Sequence, residues 1–477
     1  MANYKVLERI KLCIKNKEEI LDLQGCELNE NSIELNELSE CSHVKVLNLG
    51  RHTDTFKSKL NWSQSLNKTF NKEDSGNIFN SIPEQIKHLQ KLTFLSFNGN
   101  TINRIENLDS LTNLSELDLS NNQISRIENL DSLTSLSELY LNNNQISKIE
   151  NLDSLTGMWR LVLNNNKISK IQNLNLDNRL CQLYLDNNQI SQIENLESLS
   201  SLQYLSIANN QIKKIKSLDF LSSLYSLDLS NNQISKIENL DTLIGLSNLN
   251  LGNNQIRQIE NLDTLTGVLN LNLCNNHIRK IENIDFHNQL YSLNLSNNQI
   301  DIIENLNSQN QLIELNLSNN QILKFENLDS QINLAELNLS SNRISAIGPS
   351  SYLWRLPPKL NADFSNNKIM LIDYFGKDVV VTGELLYYDE GFYKGEYETE
   401  YFRTKYDYST KYNKESDNSF ENENLPPLNR KSHSVNYEDL SVDDEVSYSK
   451  YGGYNEYSDD EIDDVFDGDP LNTWNID

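Results

Sequence analysis

Cysteine is scarce and unorganised in this chain of 477 residues: five cysteines, Cys13, Cys26, Cys41, Cys181 and Cys274, are odd in number and never spaced C-x-x-C. That argues against a disulfide framework and against a thiolate zinc site. Basic residues are also in deficit, 41 Lys and Arg against 68 Asp and Glu, for a net charge of −27. Such a balance repels nucleic-acid phosphates and anionic lipid, so neither is expected as a partner. Apolar residues reach only 37%, and about 40% with glycine added is below the ~45–50% of compact domains. No run approaches the ~18 apolar residues that cross a membrane; Val379, Val380 and Val381 form the densest stretch. Residues 1–19 intersperse Lys5, Glu8, Arg9, Lys11, Lys15 and Lys17 among apolar positions and lack a signal-peptide core. The expectation is a monomeric intracellular protein, cytoplasmic or nuclear.

Enzyme signatures are missing too. There is no G-x-x-x-x-G-K-[ST] loop, no G-x-S-x-G elbow and no H-E-x-x-H helix. Six histidines are dispersed without a ligand rhythm. The acidic run from Asp459 to Asp469 fails as a calcium loop, because Val465 and Trp474 fall where carboxylates are required. No catalytic residue, metal or cofactor is expected.

What the chain does have is a repeat. Asparagine recurs at Asn100, Asn122, Asn144, Asn166, Asn188, Asn210, Asn232, Asn254, Asn276, Asn298, Asn320 and Asn342, an unbroken spacing of 22 residues. Around Asn122 the unit reads Leu114, Leu117, Leu119, Asn122, Ile124, Ile127, Leu130, Leu133. The alternation at Glu116 to Ser120 predicts a short strand with Leu117 and Leu119 inward. The chain then turns at Asn121-Asn122 and returns through inward-facing Ile124, Ile127, Leu130 and Leu133. One coil cannot bury this ring alone, whereas stacked coils make a continuous core. A buried amide without partners costs about 1–3 kcal/mol, so the recurring asparagines are expected to form a structural ladder on the turns of neighbouring coils. A shifted unit follows at Phe364, Asn367, Ile369 and Ile372. Two degenerate units precede, with Cys26 and His52 at the asparagine position, giving fifteen expected coils.

This unit resembles the leucine-rich repeat of the 22-residue class. Its phrasing, as in Asn144-Gln145-Ile146-Ser147-Lys148-Ile149-Glu150-Asn151-Leu152, is similar to the leucine-rich-repeat regulatory subunit of protein phosphatase 1. The resemblance implies an α/β solenoid, a right-handed leucine-rich-repeat superhelix binding proteins on a concave parallel β-sheet. It also implies a protein phosphatase catalytic subunit as one candidate partner.

The expected organisation is an N-terminal capping helix (1–19), degenerate repeats (20–50), a polar insertion loop with Trp62 (51–77), regular repeats (78–372), a β-rich flank of one or two hairpins (373–412) and a disordered acidic tail (413–477). The tail holds 18 acids and four bases. Low hydrophobicity with high charge predicts its disorder.

The returning halves barely vary, so specificity is expected on the outward strand positions. There Glu116, Asp118 and Glu138 make an acidic margin beside Tyr140, Trp159, Arg160, Val162, Tyr184 and Tyr204. Aromatics and arginine together have the composition of an interface hot spot. Later coils carry a monotonous Asn/Ser surface. The reading is a non-enzymatic scaffold that binds a protein partner through these nine residues. The alternative is a rigid spacer whose acidic tail or insertion does the binding.

Overall fold

The computed structural model describes residues 4–51 and 76–382, apart from 175, 177–178, 285–288, 309–310, 329, 348–359, 368, 370 and 373–379. Most of the expected insertion, much of the β-rich flank and the whole acidic tail lie outside these residues. An N-terminal helix spans Tyr4–Asn16 and buries Val6, Ile10 and Cys13. Those residues close the apolar end of the first coil, which would otherwise expose its leucines to water.

Strands of mostly three residues then recur once per coil and pair in parallel, making one sheet of sixteen strands in which chain order is followed throughout. In the regular coils the register advances by 22 residues: Leu117 faces Leu139, Leu139 faces Leu161, and Leu161 faces Leu183. A second, two-stranded parallel sheet pairs Ala346–Ile347 with Leu371–Ile372 on the returning side. The core is a single continuous column of leucine and isoleucine from Val6 to Ile369. Among the described residues no helix is long and apolar enough to cross a membrane. The fold is the parallel-strand solenoid expected from the repeat.

The ladder is visible bond by bond. Asn122 accepts the amide of Ile102 on the preceding coil at 2.9 Å. Its amide nitrogen donates to Phe97 O of that coil and to Leu119 O and Ser120 O of its own. The same pattern recurs at Asn232, on Ile212, Ile207, Leu229 and Ser230, and at Asn342, on Ile322, Leu317, Leu339 and Ser340.

A further set of asparagines was not foreseen. Asn129, Asn151, Asn239 and Asn261 have φ of 58°, 59°, 57° and 56°. Each donates its side-chain amide to a carbonyl one coil back, on Ile105, Ile127, Ile215 and Ile237. The residues before the ladder asparagines are left-handed as well, Asn121 at 55° and Asn143 at 57° among them. Asparagine tolerates this region better than other residues with a Cβ. The returning Ile-Glu-Asn-Leu phrase is therefore constant for a backbone reason.

One expectation needs correction. His52 lies outside the described residues, and the ladder role of the second coil is filled by Asn77, accepting from Leu28 N at 3.0 Å and donating to Leu23 O and Leu49 O. Spacing alone cannot count through an insertion, which puts extra residues between one ladder position and the next. Within the expected β-rich flank, Val380–Thr382 pairs in parallel with Asn361–Asp363 and extends the sheet by one strand. The remainder of that flank lies outside the described residues.

Candidate interaction surface

The outward positions of successive strands stand side by side at about 4.8 Å. One row runs Glu116, Glu138, Arg160, Gln182, Tyr204, Ser226, and the next Asp118, Tyr140, Val162, Tyr184, Ser206, Asp228. Large side chains this close cover one another. Tyr140 retains 8% exposure, Arg160 7%, Glu116 and Glu138 9% each and Asp118 2%. Val162, Tyr184 and Tyr204 are half-buried, and so is Trp159, which precedes its strand. Lateral packing along the sheet thus buries the centre of the cluster.

The cluster is built around Arg160. Its guanidinium carbon lies 5.6 Å from the Tyr140 ring centre and 5.7 Å from that of Tyr184, within the range of cation–π attraction. The Tyr140 hydroxyl donates to Glu138 Oε2 at 2.5 Å, and the Tyr184 hydroxyl donates to Gln182 Oε1 at 3.3 Å. Burial pushes the Tyr140 phenol well above its ordinary value, with Glu138 adding to the shift and Arg160 opposing it. Trp159 sits in the ladder by its backbone, donating to Ser137 O and accepting from Cys181 N and Gln182 N. Tyr204 packs against Tyr225, ring centres 5.8 Å apart. Tyr225 belongs to the surface although the strand alternation did not single it out, because it occupies the position just before its strand.

Acidic groups ring this cluster. Asp118 accepts from the amide and hydroxyl of Ser120, at 3.0 and 2.6 Å; burial raises its carboxyl pKa against those bonds. Burial also raises Asp186 to about 6, with the nearby Asp228 adding to the shift and the Ser206 hydroxyl opposing it. Asp228 is raised by burial.

A signal that the rows themselves contain separates this region from the rest. In most coils the last strand residue is Asn or Asp, and its side chain accepts the amide two residues on: Ser120 to Asp118, Ser230 to Asp228, Gly252 to Asn250, Ser296 to Asn294, Ser318 to Asn316 and Ser340 to Asn338. These are Asx turns that close the corner after the strand. The late Asn/Ser surface therefore has a structural role. Four consecutive coils abandon the device, carrying Tyr140, Val162, Tyr184 and Ser206 instead. The row behind partly replaces it: Asp186 N donates to Asn164 Oδ1 at 2.7 Å and Ala208 N to Asp186 Oδ1 at 2.8 Å.

Among the described residues no group of three or more His, Cys, Asp or Glu side chains is placed to hold a metal. All five cysteines are free thiols. Cys13 and Cys41 are fully buried, one on the N-terminal helix and the other next to His43, whose Nε2 lies 3.9 Å from Cys13 Sγ.

Comparison with known proteins agrees with this architecture. A family model described as leucine-rich repeats (two copies) matches residues 90–132, 112–154, 178–223 and 222–264. An internalin from Listeria monocytogenes is 27% identical, with 72% of this chain and 95% of that one covered and a TM-score of 0.58. A leucine-rich-repeat protein of Leptospira interrogans is 22% identical over 78% of this chain and 88% of its own, at a TM-score of 0.54. YopM from Yersinia enterocolitica is 19% identical over 80% and 81%, at 0.52. Curated proteins yielded no match.

Proposed function

We propose that this leucine-rich-repeat protein is a non-enzymatic scaffold that holds a protein partner on the outer, concave face of its sheet, over residues 116–225. Leucine-rich-repeat solenoids are in general protein-interaction modules. The observation that carries the reading is the loss of the Asx turn in four successive coils where Tyr140, Arg160, Tyr184 and their neighbours gather. A corner that exchanges its own Asx bond, worth about 1 kcal/mol, for a large amphipathic side chain is shaped for contact. Arg160 is pre-ordered between two rings, so little side-chain entropy is lost when a partner covers it. Tyr184, Tyr204 and Tyr225 are the accessible anchors, and Glu138 and Arg160 underpin them. The protein works as a monomer in an intracellular compartment and takes its partner there; membranes and nucleic acid are not its targets.

The resemblance in phrasing makes a protein phosphatase catalytic subunit the first partner to examine. The spacer reading, with binding by the tail or the insertion, is the alternative.

The test is affinity capture from host lysate with wild-type protein and with Tyr184→Asn/Tyr204→Asn. Asparagine already stands in both rows, at Asn248 two coils beyond Tyr204 and at Asn250 three coils beyond Tyr184, so the substituted coils keep their fold. Partners captured by wild type and lost from the variant support the face. Identical captures overturn it, and loss only on removing residues 413–477 establishes the spacer reading.

A further inference from the structure

The returning side of the solenoid carries a second feature that the sheet face does not use. A cleft of about 630 Å³ is lined by Arg257, Gln258, His277, Arg279, Lys280, Glu282 and Gln299. Four of those seven side chains are basic, in a chain of net charge −27. Their placement departs from the repeat. The position of Arg257 and Arg279 is serine in six other coils, at Ser125, Ser147, Ser169, Ser191, Ser235 and Ser345. His277 stands where most coils have glutamine, as at Gln255 and Gln299.

Two arginines earlier on this flank are paired across coils, Arg104 with Glu128 at 3.1 Å and Arg126 with Glu150 at 3.2 Å. Arg257, Arg279 and Lys280 make no such pair among the described residues. The Arg279 Nε donates only to the neutral amide oxygen of Gln299, at 3.2 Å. Two guanidiniums one coil apart, about 5 Å along the stack, repel each other with no intervening anion. Exposed and without an ion pair, they leave their remaining donors to water.

We propose that this cleft binds a phosphorylated serine or threonine in a segment of a protein partner. A phosphate monoester carries close to two negative charges and three acceptor oxygens. Two arginine forks with Lys280 and His277 beside them match that charge and donor count, where a single carboxylate would answer only one arginine. Polyanions fit poorly: the acidic row Glu238, Glu260, Glu282 and Glu304 runs alongside on successive coils and repels an extended phosphate backbone or an anionic lipid surface. The half-buried Glu282 at the edge of the cleft selects against a second anion and accepts from amide donors of the bound segment. The site is independent of the sheet face, and the scaffold acquires a contact regulated by phosphorylation of its partner.

The test uses the full chain and two fluorescein-labelled peptide libraries, one with a fixed central phosphoserine and the other with serine there, read by fluorescence anisotropy at fixed salt. Wild type is expected to prefer the phosphorylated library at least tenfold. Arg257→Ser/Arg279→Ser, which installs the residue of six other coils, is expected to lose that preference with its melting temperature unchanged. Equal binding of both libraries, or an undiminished preference in the variant, overturns the proposal. A third library with aspartate and glutamate in place of phosphoserine separates the remaining case: binding as tight as to phosphoserine makes the cleft a general acidic-segment site and also overturns it.

Discussion

The amide of Ala208 donates to the carboxylate of Asp186, one coil earlier, at 2.8 Å. Most corners of this solenoid are closed by their own strand residue, as Asp228 closes Ser230. Here Tyr184 and Ser206 occupy the closing positions, and a neighbour's side chain reaches across instead. The substitution leaves a carboxyl group buried, with consequences for stability.

Burial holds Asp186 up at about 6, above the ~3.9 of an unfolded aspartate. The folded state therefore binds more protons than the unfolded state between those values, and the contribution of this group to stability falls as pH rises from about 4 to about 6. Asp118 and Asp228, also raised by burial, act in the same direction. Asp186→Asn keeps an oxygen for the Ser206 hydroxyl and the Ala208 amide while removing the charge. Urea denaturation is expected to show the variant more stable than wild type at pH 7, by up to about 3 kcal/mol, and nearly equal at pH 4. A variant weaker at both pH values would mean that the charge itself holds the corner.

Asn232→Ala removes one acceptor bond and three donor bonds, to Ile212, Ile207, Leu229 and Ser230. Buried groups without partners cost about 1–3 kcal/mol each, so a loss of about 3 kcal/mol or more is expected. Because coils interact with their neighbours only, hydrogen exchange should rise most around residues 207–234 and little near either end. Uniform loss of protection would argue for a more cooperative solenoid than nearest-neighbour contacts imply.

Ser217 sits at φ 58°, in the row where other coils place left-handed asparagines. Those asparagines donate one coil back, as Asn239 does to Ile215 O, and the matching carbonyl for residue 217 belongs to Ile193. Ser217→Asn is expected to stabilise the protein by about 0.5–1.5 kcal/mol, read as a shift in the urea midpoint with an unchanged slope. No shift would place the value of this row in local backbone preference rather than in its hydrogen bond.

Two glycines should answer a methyl group in opposite ways. A Cβ on Gly50 would lie 2.2 Å from Asn98 N and 2.6 Å from Asn98 O, both backbone atoms that cannot yield without parting adjacent strands. Gly50→Ala is expected to cost about 2 kcal/mol or more, within the range of overpacked sites. On Gly157 the nearest contacts are 3.7 and 3.8 Å, and alanine there should be neutral or stabilising by about 0.4–1 kcal/mol. Thermal melts of the two variants check both.

The 22-residue spacing of Asn100 through Asn342, and the leucines around it, were enough to read the solenoid, its strand positions and its inward face. Such a repeat is a local code: each coil meets only its neighbours, so spacing in sequence equals position in space. The same code located the outward rows holding Tyr140, Arg160 and Tyr184, but not how deeply they are covered. Burial there depends on side chains 22 residues apart meeting across the sheet, and single-coil alternation carries no lateral information. Nor did alternation distinguish a strand-end asparagine that closes a turn from one that is merely polar. Asn77 was misplaced because an insertion breaks the arithmetic while stacking restores the turn.

The sequence by itself thus determined the coil, its period and its core, since those follow from periodicity and apolar burial. Only the tertiary structure decided which polar residues are tied to the backbone and which are released from it. Hydrogen bonds between coils, such as Asn232 to Ile207 and Ala208 to Asp186, exist only after stacking. The two surfaces that depart from the pattern, around Arg160 and around Arg257 and Arg279, stand out because their side chains differ from those at the same positions of most other coils.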